Sequence, residues 1–362
     1  MEVKDLLRDP IKGFTAYKPG GKQIKVNEGV TKVVQLNANE NQLGPSPKAV
    51  EAMCEAAKMS NFYPFTFGQT EEVRGFIADY YDMDASTIMV TSGSSGIIAA
   101  FGDIFLNPGD EMLTCTPTYD SYRAVANRYG AVFKSVPLKN HGFDLDALYE
   151  AITDKTKLIV IVNPNNPTGT LLTNEELDAF MEKVPDHVIT IIDEAYFEWI
   201  NEPHYESAIK YVRQGKKVAV LRTFSKLYGM AGVRIGYGIM LPEICEAMRN
   251  VEFNYGASRI GLAGAKAALL DENYKKRSLE NNTKGREYLT NVLKEAGFDV
   301  VTSYASFVYF LPKGITSETL IQELGVRGVM IRGYGDYARV SVGLPWQNEL
   351  FAETLKIVLK ND

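Results

Sequence analysis

From Ile88 to Met240 the chain repeats one unit: a short apolar run, a turn, then an amphipathic stretch. The runs are Ile88–Val90, Glu111–Thr114, Val132–Phe133, Leu158–Val162, Val188–Ile192, Val218–Leu221 and Val233–Met240. Helical patterns such as Tyr119–Arg128 and Asn174–Lys183 separate several of them. Runs that are apolar on both faces and joined by helices predict an α/β fold, with a mostly parallel seven-stranded sheet buried between helix layers. A sheet of this kind places ligands at the carboxyl ends of its strands. The residues just past each run are therefore the candidates for chemistry.

The flanks differ in texture. Residues 1–38 form a poorly periodic arm that ends in a short strand, Val33–Leu36, before a polar turn at Asn37–Pro45. Ser46-Pro47 caps a helix, and a second helix covers Thr70–Asp82. After Pro242 helices dominate, including a long charged stretch over Asp271–Ala296. Strands over Asp299–Phe310 and Arg339–Val342 follow, then a last helix from Pro345. The chain thus divides into an arm (1–38), a large ligand-binding domain (39–243) and a smaller α+β domain (244–362). A length of 362 residues suits such a division.

A net charge of −6, without any basic block, argues against nucleic acid or an anionic membrane as partner. The first ten residues lack the apolar core of a signal peptide, and no apolar run reaches membrane-spanning length. Cys54, Cys115 and Cys245 are scattered and odd in number, as expected of reduced thiols in a cytoplasmic protein. His141, His187 and His204 stand far apart in no metal-ligand spacing, so no metal is expected.

Four segments past the runs carry chemistry. Val90-Thr-Ser92-Gly93-Ser94-Ser95-Gly96 passes from a strand into a helix, where free N–H groups and small residues make an anion site; a tight turn with a serine cap is the plainer reading. In Asn163-Pro-Asn165-Asn166-Pro167-Thr168-Gly169, prolines and glycine fix the backbone and hold the Asn166 amide toward a ring oxygen, or else form a structural Asn-Pro turn. Asp193 ends the run Val188–Ile192, and an unpaired carboxylate there costs several kcal/mol to bury. It needs a cation: a pyridinium nitrogen, or a structural arginine. Tyr196 stands three residues on, within reach of the same ligand. In Arg222-Thr223-Phe-Ser225-Lys226-Leu-Tyr-Gly229, with Arg234 eight residues after the lysine, an amine lies beside hydroxyl and guanidinium donors. A lone lysine is usually a surface residue. Here it suits a Schiff base with pyridoxal phosphate, whose phosphate would take Thr223, Ser225 and Arg234.

At these residues the chain resembles the pyridoxal-phosphate aminotransferases of the aspartate-aminotransferase fold (fold type I). Within them it is most similar to histidinol-phosphate aminotransferases. Further matching stretches are Ala16-Tyr17-Lys18-Pro19-Gly20, Leu36-Asn-Ala-Asn39-Glu40-Asn41, Pro117-Thr118-Tyr119, Ala231-Gly-Val-Arg234, Val329-Met-Ile-Arg332 and Arg339-Val-Ser-Val-Gly343. The resemblance implies that Lys226 bonds the cofactor, Asp193 pairs with its ring nitrogen, Asn166 and Tyr196 bond its ring oxygen, and Tyr119 stacks on the ring. Gly93, Ser94, Ser95, Thr223, Ser225 and Arg234 would cradle the phosphate. Tyr63 would reach it from the second subunit of a homodimer. Arg339 would hold the substrate α-carboxylate, and Arg332 with Tyr17 would meet a distal phosphate.

The implied reaction is a ping-pong transamination from an amino donor, histidinol phosphate, to a 2-oxo acid acceptor, 2-oxoglutarate. The alternative donor is an aromatic or other amino acid. A decarboxylase or lyase fits Arg339 less well, a ligand-sensing module lacks an appended DNA-binding domain, and a nicotinamide dehydrogenase lacks G-x-G-x-x-G after an early strand. The chain departs from the family at Ser94-Ser95-Gly96, at Gln42, at Phe62-Tyr63-Pro64, and at Glu252-Phe-Asn-Tyr-Gly-Ala-Ser258-Arg259. The last stretch would reshape side-chain recognition, with Arg259 adding a charge near the pocket.

Overall fold

The computed structural model describes residues 2–12, 24–251 and 256–360. Seven strands form the central sheet: β1 (Ile88–Thr91), β2 (Glu111–Thr116), β3 (Val132–Pro137), β4 (Thr156–Val162), β5 (Ile189–Asp193), β6 (Val218–Thr223) and β7 (Gly236–Met240). Their order is β1-β7-β6-β5-β4-β2-β3. Every neighbouring pair is parallel except those of β7, which runs antiparallel to β1 and β6. The runs read as two-sided strands are buried along nearly their whole length, as a sheet covered on both faces requires, except on the edge strand β3, where Val132 is 50% exposed.

β7 starts three residues later than the apolar pattern suggested. Ala231–Val233 is a short 3-10 turn, and Arg234 has φ 61°, a left-handed conformation that ends any extended run. The strand begins only at Gly236. A Cβ at that position would lie 2.7 Å from the carbonyl carbon of Gly93 and closer still to Ser94 N, so β7 packs directly on the turn that opens the helix Ser94–Phe105.

A second, four-stranded antiparallel sheet has the order Arg332–Tyr334, Tyr337–Ser341, Phe307–Leu311, Asp299–Val301. The arm joins this lobe: Val34–Gln35 pairs in parallel with Val329–Met330. Buried apolar side chains form two clusters, one around the large sheet and one that includes Leu36, Leu289, Phe310 and Phe351. Residue 243, the expected division, lies in the first of two helices that still bury in the first cluster. Ile244 and Met248 of Pro242–Val251, and Leu262 and Leu269 of Arg259–Leu269, pack there because their apolar faces have the large lobe to cover them. The lobes touch backbone to backbone where Tyr304 N donates to Gly169 O at 2.8 Å. Gly169 has φ 78°, and a Cβ there would stand 2.8 Å from Ser303 Cβ. Among the described residues no helix is long and apolar enough to cross a membrane.

Gly236→Ala is expected to force strand and turn apart, at ~2–3 kcal/mol for overpacking against backbone that has nowhere to move. Thermal or denaturant unfolding of the variant checks this; a melting temperature equal to the parent's contradicts the packing described.

Candidate active site

Strands β4, β5 and β6 end nearly in register, with Val162 opposite Asp193 and Asp193 opposite Leu221. The loops beyond these ends enclose a cavity of about 250 Å³. Lys226, Asp193, Tyr196, Asn166, Tyr119 and Arg234 all line it, and so do Ser94, Ser95, Thr223 and Ser225. Arg332 and Arg339 reach it from the small lobe. Residues from six segments of the sequence therefore meet in one space.

Asp193 is 2% exposed and is held by neutral donors. Tyr122 Oη donates to its Oδ2 at 2.8 Å, and Ala195 N to its Oδ1 at 3.1 Å. Burial pushes its carboxyl above the usual carboxylate range, and these two hydrogen bonds only partly oppose that. Among the described residues no cation forms an ion pair with it. The structural arginine considered for Asp193 instead belongs to its neighbour: Arg222 lies 2.7 Å from Glu194 and 3.0 Å from Glu198 in a buried group. A side chain that is costly to ionise and aimed into a cavity fits a ligand that brings its own positive charge.

Lys226 follows β6. Its Nζ lies 3.4 Å from the carbonyl oxygens of Ala38 and Asn39 and 5.6 Å from the centre of the Tyr196 ring. Burial, and next the charge of Arg339, bring its pKa down to about 8, against the opposing pull of Glu40 and Asp193. Far more of the amine is then neutral near pH 7 than for an ordinary lysine, as a nucleophile needs.

The anion site is assembled around Gly93. This residue has φ 78° and precedes the helix Ser94–Phe105. Arg234 Nη2 donates to Ser95 Oγ at 3.2 Å, and a Cβ on Gly93 would lie 2.5 Å from the same nitrogen. Glycine thus lets the guanidinium approach the helix start, where free N–H groups face the cavity. Ser225 N is tied to Thr223 Oγ1 at 3.1 Å. The donor set suits a phosphate monoester, and the buried Asp193 suits a protonated ring nitrogen, so the residues fit the phosphorylated pyridine that the sequence suggested.

Asn165, not Asn166, carries the structural role in its loop. It is buried and bonds Pro117 O, Thr118 and Thr168, which leaves Asn166 at the cavity wall. There Asn166 Oδ1 accepts from Arg339 Nη1. Arg339 is 3% exposed, also donates to Asn37 O at 2.8 Å, and keeps a buried Nε without a partner. Arg332 and Arg339 are cross-strand partners, and both guanidinium groups sit over the Tyr334 ring, at 5.6 and 5.2 Å.

Other expectations fall elsewhere. Tyr63, expected to act on a second subunit, is 59% exposed, stacks on Phe65 at 5.4 Å, and lies away from its own chain's cavity. Tyr17 and Glu252–Tyr255 lie outside the described residues. Arg259 adds no charge to the cavity. It is 9% exposed, donates to Tyr63 O at 2.8 Å and Phe62 O at 3.4 Å, and lies over the Phe67 ring, because a buried guanidinium takes the nearest free carbonyls. Sequence reasoning missed Tyr122, whose signal is its place three residues after Tyr119 on a buried helix face, and Asn39, whose Nδ2 donates to Tyr196 Oη at 2.9 Å.

Comparison with known proteins agrees with this geometry. The sequence profile of the family described as Aminotransferase class I and II matches residues 31–351. A histidinol-phosphate aminotransferase from Moorella thermoacetica is 35% identical over 360 residues, covering 97% of this chain and 92% of that protein. One from Akkermansia muciniphila is 35% identical over 371 residues, covering 99% and 100%. A similar solved structure is the histidinol-phosphate aminotransferase of Sinorhizobium meliloti in complex with pyridoxal-5'-phosphate. Its TM-score is 0.88 at 24% identity, with 98% of each chain covered, a likeness of fold. Sheet order, cavity and sequence agree, and the chain belongs to the class I and II aminotransferases.

Proposed function

We propose that this aminotransferase binds pyridoxal 5'-phosphate in the cavity and moves the amino group of histidinol phosphate to 2-oxoglutarate. When bound, the cofactor supplies an aldehyde for an amine and a ring that draws electrons from the substrate Cα. The protein's residues do the rest. Arg234, Ser95 and the N-terminus of the helix Ser94–Phe105 would hold the phosphate, with Ser94, Thr223 and Ser225 beside them. Asp193 would keep the ring nitrogen protonated, which also relieves its own burial cost. Asn166 and Tyr196 would hold the ring oxygen, and Tyr119 would cover a ring face. Lys226 Nζ, freed when the donor amine takes its place, would lift the proton from the substrate Cα and hand it to the carbon on the far side of the shared nitrogen.

The observation that carries the substrate is the pair Arg332 and Arg339. Like charges directly opposite one another on neighbouring strands are unfavourable, and here both line the cavity. An anionic substrate offsets that cost. Arg339 would take the carboxylate of the 2-oxo acid, and Arg332, with Tyr17, the distal phosphate of the donor. The relatives named histidinol-phosphate aminotransferase support this donor. The exposed group of Phe62, Tyr63, Phe65 and Phe67 supports a homodimer in which Tyr63 completes the partner's phosphate site.

Lys226→Ala should abolish turnover together with the visible absorbance that the protein gains with pyridoxal 5'-phosphate; an active Lys226→Ala enzyme rules the mechanism out. With 2-oxoglutarate as acceptor, Arg332→Ala should cut kcat/KM for histidinol phosphate by about 30–150-fold, the loss of one charge-assisted hydrogen bond of roughly 2–3 kcal/mol. Phenylalanine should lose only a few-fold, and equal losses would favour a broad aromatic aminotransferase. Without cofactor, the raised carboxyl of Asp193 contributes its full stability below the ordinary carboxylate range near pH ~4, and that contribution is lost as pH rises through its own higher pKa. Asp193→Asn should therefore raise the melting temperature at alkaline pH by about 2 °C, equivalent to roughly 1 kcal/mol, and not in acid. A lower melting temperature in calorimetry at alkaline pH refutes the burial argument.

A further inference from the structure

We infer that Asn39 is a positioning residue that fixes the direction of the Tyr196 hydroxyl proton, and that Ser341 of the small lobe fixes the orientation of Asn39. The benefit to the reaction rests on the cofactor reading above.

Hydrogen-bond counting carries the inference. Asn39 N donates to Ser341 Oγ at 2.9 Å, and Ser341 Oγ lies 2.9 Å from the Asn39 side chain. A serine hydroxyl has one proton. Ser341 Oγ gives that proton to the Asn39 side chain, and the atom facing it is Oδ1. The amide NH2 then faces the other way and donates to Tyr196 Oη at 2.9 Å. A phenol that accepts from an amide N–H cannot return its own proton along the same line. The Tyr196 proton therefore leaves in another direction, and Tyr196 lines the cavity where the ring oxygen of the cofactor would accept it.

Asn39, Ser341 and Tyr196 are 2%, 1% and 3% exposed. Asn39 has φ 55°, a left-handed conformation that asparagine tolerates better than most residues. Its segment is anchored on both sides. Val34 pairs with Val329 in the small lobe, and Asn41 Nδ2 donates to Leu227 O in the large one at 2.7 Å. Ser341 ends the strand Tyr337–Ser341 that carries Arg339. The lobe that holds the substrate arginine thus also orients the hydroxyl.

The test titrates, by absorbance, the chromophore that pyridoxal 5'-phosphate forms with the full-length protein. The variants are Asn39→Gly, Ser341→Ala, Tyr196→Phe and the double variant Asn39→Gly/Tyr196→Phe. Glycine adopts the left-handed backbone without strain, and the charged groups lining the cavity (Lys226, Asp193, Asp120, Arg339, Arg234, Arg332 and Glu40) are unchanged in these variants. An oxygen that loses a donor holds the shared proton more tightly, so Tyr196→Phe should raise the midpoint by about one pH unit. Asn39→Gly should raise it in the same direction, and the double variant should go no further than Tyr196→Phe, since both act through one hydroxyl. An unmoved midpoint in Asn39→Gly, or additive shifts in the double variant, overturns the inference. Should Asn39→Gly not fold, Ser341→Ala takes its place: a smaller upward shift supports the assignment, and none refutes it. A parent protein that forms no chromophore at any pH defeats the cofactor reading and this inference with it, a result distinct from unshifted midpoints.

Discussion

Asp193 and Glu194 are adjacent carboxylates, both 2% exposed, and they are stabilised by opposite means. Consecutive side chains at a strand end leave on opposite faces. Glu194 meets Arg222, Ser207 and the backbone of Ala208, and Arg222 is further held by Glu198 and by the Phe197 ring 3.8 Å beneath it. That buried group is closed on itself and keeps Asp193–Tyr196 and the end of β6 in fixed relation. Asp193 receives no such cation and faces the cavity. The site depends on this asymmetry, because a carboxylate already satisfied by Arg222 would have nothing to offer a ring nitrogen. Truncating one member of the closed group would strand a buried charge, which costs far more than the pair is worth.

The arm supplies the second constraint. Its residues 34–41 pair with one lobe, bond the other, and place two carbonyl oxygens above Lys226. The lysine is thus approached from below by the large sheet and from above by a segment distant in sequence. Its lowered pKa has the same origin, since removing water from around the amine disfavours its charge.

Most of the sheet was legible because strands buried on both faces leave uninterrupted apolar runs, and the residues that end them are polar for a reason. β7 was read too long because Val233 and Ile235 look strand-like, while the left-handed turn at Arg234 is set by the approach of its guanidinium to Gly93, which no local pattern records. Arg259 was misplaced because charge alone does not reveal that carbonyls 62 and 63 are its nearest acceptors. Tyr122 and Asn39 were missed for a related reason. Each acts on another side chain from a distant segment, and only tertiary contact shows that.

Gly169 ends the loop that presents Asn166; its carbonyl accepts from Tyr304 N of the other lobe, and it brings no side chain of its own against Ser303. Cushioned contacts yield by changing rotamers, whereas a bare contact of this kind has nothing to compress. A cleft that widens with this contact intact turns about it, as a lever turns about its pivot. Atoms close to it, Asn166 among them, would travel little while those farther out swing wide.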